Sequence, residues 1–495
     1  MQRDAMRSAF FIIISAGLLV LLYPLMHEKS SFLSDHFRTY HFLDKYLPIK
    51  PIPFSDTITT DTIPLILEEE PEEVKYSGTH FLSDFFNDLA QNNTQIRIAY
   101  YGDSAIEGDL ISQTVRDSLQ RQFGGNGVGF VPLVSHLNGF RRSVNLHFSD
   151  DWAMIKMNKT APEGIYFGYL GSAFTCKNVF TEENSIGSEE PVLNTADTIS
   201  LDSDVPIVID APLVTPVEKP AHEGIYSARF SASKRFPGTS VFTTSRLFYS
   251  APLSDESPYG KVKVKVGEDI KEIDLAGTEM VNDVNLYPGA CRRIELDFDS
   301  ICNQLIFGVS FESKRGVILD NLPLRGNSGV WLNRIQTDIM QSFQKTLDVD
   351  LVILQFGLNV LNTEMTDYSW YETEMNQVIR HVKRGFPGAS ILVVGPADKA
   401  VRLNEKMQTD PSINLITNVL RSVSEKNEVA FFSFFEAMGG SGSMVKWVEE
   451  SHPKLANSDY THFNFEGAEK AGDFLLDFLL GAFDDYLTEQ QRSEN

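Results

Sequence analysis

The chain has 495 residues, 42% of them hydrophobic and 22% charged, which supplies a sizeable core and excludes a wholly disordered protein. Asp and Glu number 67 against 43 Lys and Arg, and the net charge of −24 argues against non-specific nucleic-acid binding, because phosphates repel such a surface. Three cysteines, Cys176, Cys291 and Cys302, argue against a disulfide-stapled scaffold and offer no C-x-x-C metal or redox motif. Cys291 and Cys302 are near enough in sequence to pair across a hairpin, though the odd count leaves that pairing open.

Residues 9–26, AFFIIISAGLLVLLYPLM, form an uncharged apolar run just long enough to span a bilayer as a helix. Arg3 and Arg7 precede it, so the N-terminus is expected in the cytoplasm and the remainder outside. No small-x-small exit site follows in Tyr23-Pro24-Leu25-Met26-His27. Residues 1–27 therefore read as an uncleaved signal anchor and transmembrane helix, with a cleaved signal or a buried helix as alternatives. Residues 28–78 read as an extracytoplasmic linker. Pro48, Pro51, Pro53, Pro64 and Pro71 interrupt any helix there, and an acidic run spans Glu68 to Glu73.

Ile96 to Tyr101 is expected to form a buried strand that runs into Gly102-Asp103-Ser104 and a helix. Leu110, Val115, Leu119 and Phe123 stripe that helix, and Gly124-Gly125 ends it. Residues 141–315 change character: short alternating runs such as Lys261 to Val266 and Arg293 to Phe298 suggest an all-β sandwich. From residue 316 strands and helices alternate again. Strands are expected at 316–320, 351–356, 391–394 and 429–432, and helices near 330–343, 368–383, 413–424 and 465–487. Short apolar strands alternating with helices specify a parallel sheet covered on both faces. The layout is one α/β domain, residues 79–140 and 316–490, interrupted by an inserted β-sandwich at 141–315.

Functional groups in such a sheet collect outside the carboxyl ends of its strands. Ser104 follows the first strand, Gly329 the second, Asn359 the third, and Asp459 with His462 the fifth. A serine hydroxyl needs a base to take its proton, and a histidine supplies one near neutrality. An acid three residues before that histidine reaches its other ring nitrogen. The N–H groups of Ser104 and Gly329 and the Asn359 amide are suited to an oxyanion. Each signal alone is weak; their order along successive strands gives them weight. Glu107 and Asp109 read as caps of the following helix. Trp331, Trp370 and Trp447 suit sugar platforms or core packing equally, and His381 and His452 read as packed or surface histidines.

The ordered set Ser104, Gly329, Asn359, Asp459 and His462 resembles the SGNH (GDSL-type) hydrolase superfamily. The runs Ile98 to Ser104, Phe123 to Phe130 and Asp459 to Phe463 look like exported, Bacteroidetes-type members related to periplasmic peptidoglycan and polysaccharide O-acetylesterases. The resemblance implies a flavodoxin-like three-layer α/β domain, with the inserted β-sandwich as a candidate carbohydrate-binding module. It implies Ser104 as nucleophile, His462 as base, Asp459 as orienting acid, and Ser104, Gly329 and Asn359 as oxyanion donors. The expected activity is serine esterase removal of O-acetyl groups from cell-wall or surface glycans. An O-acetyltransferase beside a membrane-bound acyltransferase and a non-catalytic glycan-binding protein are the alternatives. The expected site is the periplasmic side of the inner membrane, with an O-acetylated glycan as partner, no nucleic acid, no cofactor and no metal.

Overall fold

The computed structural model describes residues 75–135, 137, 139–177, 226–254 and 259–493. The signal anchor and almost all of the linker expected from the sequence lie outside them. Strands β1 (Gln95–Gly102), β2 (Gly316–Pro323), β3 (Val349–Gln355), β4 (Ser390–Gly395) and β5 (Ala430–Ser433) pair in parallel, in the order β2-β1-β3-β4-β5. This is the flavodoxin-like order, and its topological switch lies between β1 and β3.

The helices in chain order are α1 (Ser83–Gln91), α2 (Ser112–Phe123), α3 (Thr337–Leu347), α4 (Ser369–Gly385), α5 (Ser412–Lys426), α6 (Phe434–Ala437), α7 (Ser443–Glu449) and α8 (Phe465–Ser493). Period-2 alternation in β1 sends Ile96, Ile98 and Tyr100 into one core and Ala99 and Tyr101 into the other. The first core holds the apolar stripes of α1, α2 and α8; the second holds those of α3, α4 and α5. A single helix expected near 330–343 is instead a 3₁₀ turn, Val330–Arg334, followed by α3. Among the described residues no helix is long and apolar enough to cross a membrane.

Between α2 and β2 the chain builds two antiparallel sheets. One runs Asn282–Tyr287, Thr244–Tyr249, Ile306–Glu312, Ser172–Cys176, Trp152–Lys156, with Gly129–Val131 also on Ile306–Glu312. The other runs Val144–Phe148, Tyr226–Ala232, Arg293–Asp299, Lys261–Val266, Asp269–Asp274. Gly129–Val131, expected within the first α/β segment, therefore belongs to an antiparallel sheet.

The antiparallel sheets share a core with the α/β part. The Phe343 ring of α3 meets Tyr169 at 5.5 Å, Phe307 at 5.6 Å, Phe248 at 5.9 Å and Phe130 at 6.1 Å between centroids. Beneath them lies a buried ionic cluster. Arg97 Nη1 donates to both Asp320 oxygens, at 2.9 and 2.8 Å, and Arg97 Nη2 to Glu312. Asp320 also accepts the Phe130 N–H at 2.7 Å and the Tyr169 hydroxyl at 2.9 Å. Burial works against the Arg97 charge, yet Asp320 and Glu312 outweigh it and raise its pKa.

The cysteine expectation is corrected. Cys176 and Cys302 form a disulfide (S–S 2.03 Å), and Cys291 is buried and free. The partners are 126 residues apart in sequence, so only strand pairing brings them together, and proximity along the chain pointed to the wrong pair.

Candidate active site

Ser104 stands at the carboxyl end of β1, where Asp103 stops the strand. The Asp103 carboxylate accepts the Ala105 N–H at 2.9 Å and so starts a 3₁₀ turn, Ser104–Asp109. On the far side of the crevice, residues 456–463 fold back on themselves. Asn457 N–H donates to the His462 carbonyl at 2.9 Å, and Ala456 and Phe463 form a bridge. Asp459 Oδ1 accepts the N–H groups of Thr461 and His462, each at 3.0 Å, and Tyr460 between them takes the left-handed conformation (φ 55°). Phe463 then packs on Trp447 of α7 at 5.1 Å, and Asn464 caps α8 through the Gly467 N–H at 2.9 Å. The hairpin Ala400–Leu403/Lys406–Thr409 braces the loop, Ala400 N–H donating to the Tyr460 carbonyl at 3.0 Å.

These two loops meet. Ser104 Oγ lies 3.1 Å from His462 Nε2, and His462 Nδ1 lies 2.7 Å from Asp459 Oδ2. Burial works against ionising Asp459, but the hydrogen bonds from His462 and Thr461 outweigh it and hold its carboxyl below the usual range. An ionised Asp459 can only accept, so it selects the tautomer with the proton on Nδ1 and leaves Nε2 free to accept from Ser104. That sequence of hydroxyl, imidazole and carboxylate is the arrangement that activates a serine oxygen.

The residues expected to bind an oxyanion also sit here, but their hydrogens are engaged. Gly329 N–H donates to Asn327 Oδ1 at 2.8 Å. Asn359 Nδ2 donates to Asp103 Oδ2 at 2.6 Å and to the Asn327 carbonyl at 3.2 Å. Gly329 must be glycine: its φ is 98°, and a Cβ would lie 2.9 Å from Phe356 and 3.0 Å from Met375. Gly326, three residues earlier on the same loop, is exposed, with open space around it. Asp103 and Asn327, unassigned from sequence, tie the three loops together. A buried Asn two residues before Gly329, forming an Asx turn, was the readable signal for Asn327. Burial pushes the Asp103 carboxyl up to about 6, against the Ala105 hydrogen bond, the His462 charge and the Asn359 amide.

Other expectations need correction. Glu107 caps no helix; it pairs with Arg325 (Nη2–Oε2 2.6 Å) and links the Ser104 turn to the Gly329 loop. Asp109 is wholly buried and accepts from Arg116 Nη1 and Nη2, each at 2.7 Å, with Arg141 at 3.5 Å. Burial opposes its charge, yet Arg116 and Arg141 win and hold its pKa at about 2. A lowered folded pKa stabilises at pH values above the ordinary 3.8 and loses that contribution as pH falls through about 2. Urea titrations should therefore show Asp109→Asn less stable than the parent by a gap that is constant from pH 7 to 5 and narrows steadily below pH 4. A gap independent of pH would refute the assignment. Trp447 is core, His381 Nε2 faces the Ile335 carbonyl at 2.7 Å, and Trp370 is exposed. No group of three or more His, Cys, Asp or Glu side chains among the described residues could hold a metal.

No protein-family model and no curated protein sequence matches the chain. Solved structures do. A peptidoglycan O-acetylesterase superposes with a TM-score of 0.59 at 18% identity, covering 83% of this chain and 99% of its own. The match runs through the parallel sheet and the antiparallel sheets alike, since neither alone reaches that share. At that identity the likeness is one of fold. Looser likenesses join an acetyl xylan esterase (TM-score 0.25, 18% identity, 32% of this chain and 79% of that one) and a family two carbohydrate esterase from Cellvibrio japonicus (0.26, 10%, 53% and 92%); no argument rests on either. In this fold the crevice beyond β1 and β3 is where Ser104, Asn359 and His462 converge.

Proposed function

We propose that the protein is a serine esterase that removes O-acetyl groups from a glycan through an acyl-enzyme on Ser104. The observation that carries this reading is the hydrogen-bonded chain from Ser104 through His462 to Asp459. His462 Nε2 takes the Ser104 proton as Oγ attacks the acetyl carbon, and the ester carbonyl becomes an oxyanion. His462 then returns the proton to the sugar oxygen as the C–O bond breaks. Water, deprotonated by the same nitrogen, attacks the acyl-enzyme, releases acetate and restores Ser104.

The oxyanion is assigned to the N–H groups of Ser104 and Gly329 and the Asn359 amide. In the resting site Asn327 and Asp103 occupy the latter two donors, so the developing negative charge replaces them as acceptor. Asn359→Ala is then expected to lower kcat by about 10²–10³-fold with little change in KM, as loss of one oxyanion donor does elsewhere. A variant with unchanged kcat removes Asn359 from the assignment.

Action outside the cytoplasm, with residues 9–26 as an inner-membrane anchor, belongs to the same proposal. The Cys176–Cys302 disulfide supports it, because such bonds persist in oxidising compartments. The test is acetate release from an O-acetylated oligosaccharide, with acid-quenched protein digested and weighed. The expected result is one acetyl group on the peptide carrying Ser104. Turnover without that adduct in the pre-steady state, or no acetate release at all, would overturn the reading.

A further inference from the structure

Beside the Ser104 turn lies a cavity of about 300 Å³ whose lining includes Glu107, Leu324, Arg325, Met154, Lys156 and Arg141. Glu107 is three residues beyond Ser104, and Arg325 two before Asn327, so the cavity is lined by the same two loops that carry Ser104 and Gly329. The chain as a whole carries −24, yet three cations line this cavity against one carboxylate. Arg325 is already matched by Glu107. The ammonium group of Lys156, half-buried at the end of its strand, has no hydrogen bond or ion pair among the described residues. Arg141 Nη2 is buried without a hydrogen-bond partner, and the Asp109 carboxylate 3.5 Å away is already occupied by Arg116. Burial lowers the pKa of Lys156, with Glu107 opposing and Arg325 assisting, which marks its charge as under-compensated.

An unpaired ammonium and a partly paired guanidinium in a concave site are costly unless an anion completes them. A neutral acetylated sugar brings no charge to do so. We propose that this cavity binds a carboxylate carried by the glycan next to its O-acetyl group, with Lys156 and Arg141 as the cationic contacts. The substrate class becomes an acidic O-acetylated glycan. The inference deepens the esterase reading and rests on it for the position of the ester. One carboxylate suits the site because it is singly charged and its two oxygens can accept from two separate cations.

Binding separates this claim from catalysis. Full-length Ser104→Ala protein is titrated calorimetrically with an O-acetylated oligosaccharide carrying a glucuronate, and with its neutral methyl ester. A second pair carries the carboxylate on a short peptide attached to the sugar, free or as its amide. The expected result is that one acid binds at least about tenfold more tightly than its neutral partner, a preference that weakens with salt. Lys156→Gln should erase most of that preference, and Lys156→Arg should restore it. Equal binding of both acids and their neutral partners overturns the proposal, as does a preference that survives Lys156→Gln. Tighter binding of a phosphorylated glycan than of either acid overturns the carboxylate assignment. A carboxylate preference without acetate release by the parent protein discards the esterase reading and leaves the cavity assignment standing.

Discussion

Ser104→Ala is expected to lower kcat for acetate release by about 10⁴–10⁶-fold, the range over which loss of a triad serine acts, while glycan binding persists. The substitution deletes only Oγ. The turn that presents it is built by the Asp103 carboxylate on the Ala105 N–H, and the sheet beneath is unchanged, so thermal unfolding should stay where it was. His462→Ala should cost about as much, and the double variant little more, because neither group works without the other. Asp459→Asn should also be severe, about 10⁴-fold, since an amide can donate to Nδ1 and favour the wrong imidazole tautomer. Steady-state kinetics on an acetylated oligosaccharide checks all four. If the serine and histidine losses multiply instead of overlapping, the two residues do not act as one unit and the mechanism fails.

The largest stability effect is expected at Arg97. Its guanidinium is wholly buried, and Arg97→Met would leave Asp320 and Glu312 as buried carboxylates with a partner missing. Breaking a buried pair by removing one side costs about 3–5 kcal/mol, because the remaining charge stays desolvated. Glu312 keeps Arg246 at 3.1 Å, whereas among the described residues Asp320 keeps the Phe130 N–H and the Tyr169 hydroxyl and no cation within ion-pair distance. A second change, Asp320→Asn, in the Arg97→Met background should therefore recover part of the loss. Urea unfolding at neutral pH measures both. The exposed Arg293–Glu295 pair is the contrast, and Arg293→Ala should barely move the curve. Wild-type stability in Arg97→Met would mean that the cluster is compensated elsewhere.

The parallel sheet was legible because its strands are nearly continuous apolar runs between helices with clear stripes. Residues 351–356 and 391–394 needed no partner to be recognised. The Asp459–His462 loop was legible for a related reason: the two residues are three apart, so local geometry brings them together. What lay beyond the sequence depends on distant pairing. Asn359 reaches the Asn327 carbonyl and the Asp103 carboxylate, contacts that exist only once β1, β2 and β3 stand side by side. Glu107 follows the same logic, since Arg325 reaches it only across the β1–β2 edge. The boundary between the α/β part and the antiparallel sheets was likewise hidden. Gly129–Val131 is too short to declare its sheet, and aromatic residues such as Phe130 and Phe343 do not announce which neighbours they meet.

The Cys176–Cys302 bond encloses most of the antiparallel strands in a covalent ring. A protease that cuts any single peptide bond between those two cysteines opens the ring without dividing the molecule. Ser104 and His462, encoded on opposite sides of the ring, then remain joined through sulfur as well as through the β1–β2 pairing. A nicked chain would run as one species on a non-reducing gel and as two after reduction.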